Sequence, residues 1–184
     1  MNEAASGLLK MKNEKKLVLG SAGQKHPDAL TLDVDPAHQP DFLHDLNKVP
    51  WPFADNQFHE IICHHVLEHL NDLPPAMDEL HRICDSSGSI YIEIPHHSSW
   101  MAHTPEHKLC FNFFSFDGYL ENGVTEWMTT RKKFRALQKE ITFHKSFRKY
   151  FLHRWFNRFP LAYERFWTYL VPAEHLKLVL KPIK

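Results

Sequence analysis

Short, largely apolar runs that stop at glycine, acidic or histidine residues set the pattern of the first half of the chain. The first four runs are Lys16–Leu19, Ala29–Leu32, Asp41–His44 and Glu60–Cys63. The residues that follow them are Gly20, Asp33, Asp45 and His64 in chain order. Runs this short, closed by turn-forming or polar residues, predict buried β-strands.

The period of the pattern changes after the fourth run. From Asn71 to Ile83 the apolar residues recur at helical spacing, which predicts one amphipathic helix. Ser86–Gly88 predicts a turn after it, and Ser89–Ile94 a fifth strand that Pro95 closes. Strands that alternate with loops or helices favour an α/β protein with a mostly parallel sheet.

Two of the connections in this pattern are too short for helices. Only Gln24–Asp28 separate the first turn from the second strand, and the stretch from Asp35 to Asp41 is equally brief. A helical crossover needs about a dozen residues. We therefore predict loops at both places, and we expect the aromatic-rich C-terminal region to cover the sheet face that the missing helices leave bare.

The C-terminal part gives weaker patterns. Phe111–Leu120 predicts a helix that starts near Ser115, and Phe134–Phe143 fits a strand or a helix. Leu176–Leu180 predicts a last strand, antiparallel and near an edge. Ser146–Phe159 predicts an amphipathic helix. The apolar side of that helix consists of Phe147, Phe151, Leu152, Trp155 and Phe159.

Composition and charge narrow the class of protein. The chain has 184 residues with 22 Lys and Arg and 22 Asp and Glu, but residues 131–184 hold 14 of the basic and 3 of the acidic ones. No apolar run approaches the ~18 residues of a membrane span, and the N-terminus is polar. We predict a cytoplasmic, single-domain protein: a flexible terminus (1–14), a core (15–100), and a cap with the last strands (101–184).

The ends of the predicted strands carry the candidate chemistry. In an open α/β sheet, ligands bind outside the carboxyl ends of the strands. Those ends hold a glycine-containing turn over 20–23, an acid at Asp33, and a second acid at Asp45. Glycine lets a backbone approach a ligand closely, and an acid after the second strand can accept ribose hydroxyls. The order predicts a site for an adenosine-containing cofactor.

These residues lie within motifs that resemble a known family. The motifs are KLVLGSAG, LTLDVDP, DFLHDLNKVPWPFADNQFHEIICHHVLEHL, DELHRI and GSIYIEIPH. They resemble the methyltransferase type 11 group of small class I S-adenosylmethionine-dependent methyltransferases, in a shortened subgroup. The resemblance implies a Rossmann-like, mostly parallel sheet with reduced crossover helices and a helical, aromatic-rich C-terminal cap.

The resemblance also implies a cofactor, a reaction and site residues. The cofactor is S-adenosyl-L-methionine, and the reaction is methyl transfer. For the acceptor, our own prediction is a small molecule or a glycan- or lipid-linked one, methylated at oxygen. The cofactor-binding candidates are Gly20, Ser21, Gly23, Asp33, Val34, Asp45, Leu46, His64 and His65. For a hydroxyl acceptor, His107 or His97 is the candidate base, since both follow the fifth strand. The glycine loop departs from the family pattern, because it lacks the last glycine.

Two other functions fit single features. His65-x-x-Glu68-His69 spells a zinc-hydrolase pattern, with Glu79 or Glu93 as a third ligand. The basic, aromatic C-terminal region could instead make the protein a non-enzymatic binder, and segment 145–159 could contact a membrane peripherally.

Metal and nucleic acid are not part of the main prediction. A metal held by His97, His103, His107 and Cys110 remains a side hypothesis, because the spacing of these residues is not diagnostic. A nucleic-acid partner is not predicted.

Overall fold

The computed structural model describes residues 15–123, 133–148 and 151–184. Within these residues seven strands form a single sheet. The strands are β1 (Lys16–Leu19), β2 (Leu30–Asp33), β3 (Phe42–Leu43), β4 (Phe58–His64), β5 (Cys84–Pro95), β6 (Lys133–Phe143) and β7 (Ala173–Ile183). Their order across the sheet is β3-β2-β1-β4-β5-β7-β6.

The first five strands are parallel, and β7 is antiparallel to both of its neighbours. Their order is that of a Rossmann-type sheet, in which the direction of winding reverses between β1 and β4. This confirms the predicted α/β, mostly parallel architecture. The last predicted strand is also confirmed, since β7 is antiparallel and lies one strand from the edge.

Only one crossover between the parallel strands carries a full helix. This helix, α1 (Leu73–Ile83), joins β4 to β5 and buries Ala76, Met77 and Leu80 against the sheet. Between β1 and β2 the chain forms turns, and between β2 and β3 it forms a 3-10 turn at Pro36–His38. The two loop crossovers predicted from the sequence are confirmed.

The two faces of the sheet differ in polarity. One face presents Leu17, Leu19 and the residues in register with them, and these are fully buried in the main core. The other face presents partly exposed residues, namely Ile62, Tyr91 and Val179. It also carries ion pairs, Lys16 with Glu60 at 3.0 Å and Glu93 with Lys177 at 3.0 Å. The open face is therefore adapted to water by charged residues.

The aromatic C-terminal region does not cover that open face, so this prediction is wrong. Phe143, Phe156 and Tyr163 pack on one another and belong to the same core as α1. Asn157 instead covers the free edge of β6: its side chain bonds both the N–H and the C=O of Ile141 at 2.8 Å. Asn157 therefore satisfies the outward backbone groups of one residue of the edge strand, where open groups could pair with other chains.

The predicted helix over Ser146–Phe159 is confirmed only in part, because it is interrupted. The structure has a short turn α2 (Lys145–Arg148), then α3 (Leu152–Arg158) and α4 (Pro160–Ala162), which runs into a π-helical turn at Tyr163–Trp167. Residues 149–150 lie outside the described residues. Phe151 adopts a left-handed conformation that interrupts the helix. On the predicted apolar side, Phe147 and Leu152 are partly buried and pack against the core, whereas Trp155 and Phe159 are 44% and 48% exposed. Phe156, which was not predicted to face the core, is buried.

Three smaller expectations have different outcomes. Phe134–Phe143 is part of the long strand β6. The helix predicted from Ser115 is reduced to a 3-10 turn at Asp117–Tyr119. The turn predicted at 86–88 is a bulge within β5, which starts directly after α1 at Cys84. In the part of the chain that the structure describes, no helix has the length and apolar character to cross a bilayer.

Candidate functional site

The loop after β1 depends on glycine at its first position. Gly20 has φ +63°, and a Cβ added there would lie 2.4 Å from Cγ2 of Val66. Its N–H donates to the carbonyl of Leu32 at 2.8 Å, which ties the loop to β2. Gly23 also has positive φ, and so does Ala22, at +48°. The loop thus brings bare backbone close to the end of β4.

Asp33 at the end of β2 organises this loop. Its carboxylate accepts hydrogen bonds from the backbone N–H groups of Ala22 and Asp35, both at 3.0 Å. Nδ1 of His38 lies 3.1 Å from the same group. Burial alone raises the pKa of Asp33, but these hydrogen bonds and the nearby His38 ring outweigh it, so the pKa is lowered. Asp33 is therefore a fixed anion beneath the loop.

Asp45 and Leu46 follow β3 in a braced turn. The backbone and side-chain amides of Asn47 both donate to Oδ1 of Asp45 at 3.0 Å, and they lower the pKa of that carboxyl. The indole of Trp51 donates to the carbonyl of Leu46 at 3.2 Å. Oδ2 of Asp45 is left without a hydrogen-bond donor among the described residues and is available to a ligand.

Helix α1 holds the chain that follows this turn. Arg82 donates to both carboxylate oxygens of Glu79, at 2.8 and 2.6 Å, and to the carbonyl of Phe53 at 2.7 Å. The N–H of Trp51 donates to Glu79 at 2.7 Å. The DELHRI and WPF motifs therefore contact each other, and together they fix the loop that carries Leu46.

A cavity of about 640 Å³ opens at the carboxyl ends of these strands. Of the predicted cofactor-binding residues, six line it: Gly20, Asp33, Val34, Asp45, Leu46 and His65. The side chain of Val34 is 65% exposed and gives the cavity an apolar wall. The other three lie elsewhere, since Ser21 and Gly23 line a neighbouring cavity of about 650 Å³ and His64 lies outside both linings.

The side chains of His64 and His65 point in different directions. Side chains alternate between the two faces of the sheet along β4, which ends at His64, and the next residue, His65, has a left-handed backbone. Nε2 of His64 lies 3.9 Å from Glu93 on the open face, and burial is the largest cause of the lowered pKa of His64. His65 has φ +54°, its Nδ1 donates to Oε1 of Glu68 at 3.1 Å, and its ring contacts that of His175. Only His65 reaches the main cavity.

His97, one of the two candidate bases, belongs to a buried polar cluster after β5. Nε2 of His97 donates to Glu164 at 3.1 Å, and Nε2 of the fully buried His96 donates to the same carboxylate at 2.9 Å. The N–H of Phe113 adds a third donor at 2.8 Å. Burial raises the pKa of Glu164, but these three donors outweigh it and lower the pKa to about 2. Burial lowers the pKa of His96.

His107, the second candidate base, lies in a different cluster. Its ring contacts that of His69 with centroids 4.7 Å apart. The zinc-hydrolase pattern does not form, because it needs a continuous helix over residues 65–69. His65 instead has a left-handed backbone, and a 3-10 turn at Leu67–His69 follows it. Neither proposed third ligand joins it: Glu79 pairs with Arg82, and Glu93 pairs with Lys177.

Several residues of the cavity wall could not be read from the sequence. These are Ala22, Leu32, His38, His44, Asn47, Val66, His69, Leu70, Glu106 and Lys108. Most of them lie at a predicted strand end or a few residues after one, and this nearness is the sequence feature that could have indicated them. Glu106 and Lys108 come from a loop after β5 that the backbone of Glu68 holds in place, and no local pattern marks them.

A comparison with protein families gives a match over the part of the chain that carries much of this site. Residues 26–92, which include β2, β3, β4, α1 and most of β5, match the model of a methyltransferase domain. The match covers less than half of the chain and makes this part similar to the methyltransferase domain family. No curated protein sequence matches the chain.

Solved methyltransferase structures share the fold of this chain. A methyltransferase in complex with the Haloferax volcanii Trm112 activator is 14% identical, with a TM-score of 0.57, and 98% of this chain and 89% of that chain are covered. An S-adenosylmethionine-dependent methyltransferase from Archaeoglobus fulgidus is 12% identical, with a TM-score of 0.54 and 96% and 90% covered. The antibiotic-resistance methyltransferase Kmr is 13% identical, with a TM-score of 0.53 and 100% and 94% covered.

The main cavity fits the predicted cofactor, S-adenosyl-L-methionine. Its volume of about 640 Å³ lies within the usual range for small-molecule sites of roughly 300–1,000 Å³. It lies where the winding of the sheet reverses, between β1 and β4. It combines a close backbone approach at Gly20, carboxylates at Asp33 and Asp45, and an apolar wall at Val34.

Proposed function

We propose that the protein methylates a hydroxyl oxygen of an acceptor that is a small molecule or is linked to a lipid or glycan. The observation that carries the proposal is an exposed aromatic surface next to His97. The ring of Tyr169 lies 6.5 Å from that of His97, and the Tyr169 side chain is 89% exposed. An amphiphilic acceptor held by this surface would present its polar end to the site.

The cofactor-binding roles follow the cavity wall. Asp33 accepts from the ribose hydroxyls, Val34 and Leu46 pack on the adenine, and the free Oδ2 of Asp45 accepts from its amino group. Gly20 and His65 border the methionine part. Ser21 and Gly23 act through the shape of the loop, and His64 is assigned a supporting role at the end of β4. When bound, the cofactor supplies an electrophilic methyl group on a sulfonium.

His97 is the proposed base for the acceptor hydroxyl. Because Nε2 of His97 donates to Glu164, its Nδ1 carries the lone pair that can take the proton. Glu164 is a stable anion at neutral pH, so it orients the ring and stabilises the protonated form. The role of the protein in methyl transfer is then alignment of the acceptor and removal of one proton.

The exposed aromatic surface extends over residues 151–170. The large apolar side chains on it are Phe151, Trp155, Phe159, Leu161, Phe166, Trp167, Tyr169 and Leu170, each at least 40% exposed. Arg158 and Arg165 lie over two of these rings, with centroid distances of 5.5 and 5.7 Å. Aromatic and basic side chains on one surface are typical of proteins that lie at an anionic lipid interface. We place the peripheral membrane contact there, which extends the predicted segment 145–159.

Calorimetric binding of S-adenosylhomocysteine tests the cofactor site. We expect wild-type protein to bind near micromolar affinity and Asp33→Ala to lose binding. Asp28→Ala, which removes one exposed carboxylate outside both cavity linings, is the matched control and should bind as wild type. Equal affinity of Asp33→Ala and Asp28→Ala would contradict the ribose assignment, and thermal melting of each variant shows whether it folds.

Co-sedimentation with vesicles tests the surface. Wild-type protein should bind vesicles that contain anionic lipid, and Phe166→Ser/Leu170→Ser should bind much less. Both side chains are about 70% exposed, at 67% and 72%, so folding is preserved. Leu137→Ser, at a residue of β6 that is 58% exposed, is the control. If wild type fails to bind anionic vesicles, the lipid-linked acceptor is ruled out and a small-molecule or glycan-linked acceptor remains.

A further inference from the structure

We propose that Glu68, His69 and His107 bind one divalent transition-metal ion at the edge of the cofactor cavity. One potential ligand atom of each residue lies within 4.8 Å of the other two. A tetrahedral ion with bonds of about 2.1 Å holds its ligand atoms about 3.4 Å apart. His69 is exposed, so its side chain can close the remaining gap without moving the core.

The backbone already brings the two halves of this site together. Glu68 and His69 lie in the 3-10 turn after β4, and His107 lies in the loop after β5. The N–H groups of Lys108 and Leu109 both donate to the carbonyl of Glu68, at 2.8 and 3.1 Å. The ligand positions are therefore fixed by main-chain contacts that do not depend on an ion.

Glu68 carries a charge for which the protein alone does not fully compensate. Its side chain is 1% exposed, and its Oε1 accepts from His65 at 3.1 Å. Its Oε2 is buried and has no hydrogen-bond partner among the described residues. A buried carboxylate oxygen without a partner costs free energy, and such charges usually pair or coordinate a metal. A cation at this oxygen would remove that cost.

The two imidazoles present nitrogens that suit a cation. Nδ1 of His69 lies 3.2 Å from the carbonyl of Glu106, which can only accept, so Nδ1 carries the proton and Nε2 the lone pair. A ligating histidine usually donates its other N–H to a carbonyl or carboxylate in this way. Nδ1 of His107 is buried and has no partner in the part of the chain that is described.

The other histidine–glutamate cluster does not have these properties. The ligand atoms of His96, His97 and Glu164 are also close, but they already bond one another. The N–H of Ser98 donates to Nδ1 of His96 at 3.2 Å, so Nε2 of His96 must keep its proton to bond Glu164. A nitrogen that donates a proton cannot ligate a metal, and the cluster is complete without one.

Two histidines and one carboxylate form a three-ligand site with an open fourth position, which suits Zn²⁺ in a catalytic type of site. His69 and the neighbouring Glu106 and Lys108 line the cofactor cavity, so the open position lies beside it. Its role, which rests on the proposed function, is to bind an oxygen of the acceptor and lower the pKa of its hydroxyl. His107 then acts as a metal ligand and not as the base. The main sequence prediction included no metal site, and this proposal departs from it.

Calorimetric titration of ZnCl₂ into untagged, chelator-treated full-length protein tests the site. Wild type should bind one Zn²⁺ per chain, and His69→Ala and His107→Ala should each weaken binding at least about 100-fold. His103→Ala, at an exposed histidine of the same loop, should stay within about threefold of wild type. The visible spectrum of the Co²⁺-loaded protein gives a second readout of the ligand geometry.

Glu68→Gln separates a metal ligand from a structural residue. In the presence of EDTA this variant should melt at or above the temperature of wild type, because it removes an uncompensated charge, and Zn²⁺ should raise the melting temperature of wild type only. The proposal is overturned if His69→Ala and His107→Ala leave the Zn²⁺ affinity unchanged. It is also overturned if His97→Ala abolishes Zn²⁺ binding. S-adenosylhomocysteine binding measured in EDTA reports on the proposed function separately.

Discussion

The loop after β1 makes Gly20 a sensitive backbone position of the proposed cofactor site, and Gly20→Ala tests this. An L-residue in the left-handed region at φ +63° costs about 1–2 kcal/mol. The new Cβ would also lie 2.4 Å from Cγ2 of Val66, and forced repacking of that kind costs about 1–3 kcal/mol. We expect Gly20→Ala to lower the free energy of unfolding by roughly 2–5 kcal/mol.

Gly23→Ala provides a matched control in the same loop. Gly23 has φ +76°, but its added Cβ would meet the His38 ring at 3.5 Å, an ordinary contact. This variant should therefore lose only the conformational part, about 1–2 kcal/mol. Urea denaturation followed by circular dichroism measures both values, and calorimetry with S-adenosylhomocysteine shows whether displacement of Val66, which lines the cavity, lowers affinity.

A double variant isolates the steric contribution. Gly20→Ala/Val66→Ala removes the side chain that the new Cβ would strike, so the two substitutions should couple favourably by about 1–3 kcal/mol. If Gly20→Ala proves no more destabilising than Gly23→Ala, or if the double variant shows no coupling, the close approach of the loop to β4 is not what selects glycine at this position.

Further predictions concern partly buried ion pairs and the histidine beside one of them. Arg82→Lys should destabilise the protein by about 2–4 kcal/mol, measured by urea denaturation. The reason is that lysine cannot bond both oxygens of Glu79 and the carbonyl of Phe53 at once. A loss below about 1 kcal/mol would show that the bidentate geometry is not needed. Glu164 has a folded pKa of about 2 against an ordinary 4.5, so its stabilisation, on the order of 3 kcal/mol, is present above pH 4.5 and is lost as the pH falls towards 2. Glu164→Gln should be less stable than wild type at pH 7 and should lose less stability below pH 4.5. Parallel pH profiles of the two proteins would contradict this. Burial lowers the pKa of His96 from 6.5, so wild type should also lose stability as the pH falls through 6.5.

The parallel half of the sheet, and the cavity at the carboxyl ends of its strands, could be predicted from local sequence patterns. Apolar runs and turn residues act locally, so each predicted strand from β1 to β5 exists. Parallel strands place their carboxyl ends at one edge, so Gly20, Asp33 and Asp45 had to lie together once the strands were correct. The short crossovers were also readable, because the number of residues limits what can form there.

Tertiary structure decided what lies at that edge besides the strand ends. Glu164 bonds His96 across 68 positions of the chain, and His69 reaches the carbonyl of Glu106 across 37. Such contacts depend on how separate elements pack, and no periodicity records them. The aromatic residues of 151–170 give a second example. The sequence pattern predicted that they would cover the sheet. In the structure Phe151 is left-handed, Phe156 is buried, and Trp155 and Phe159 beside it are exposed.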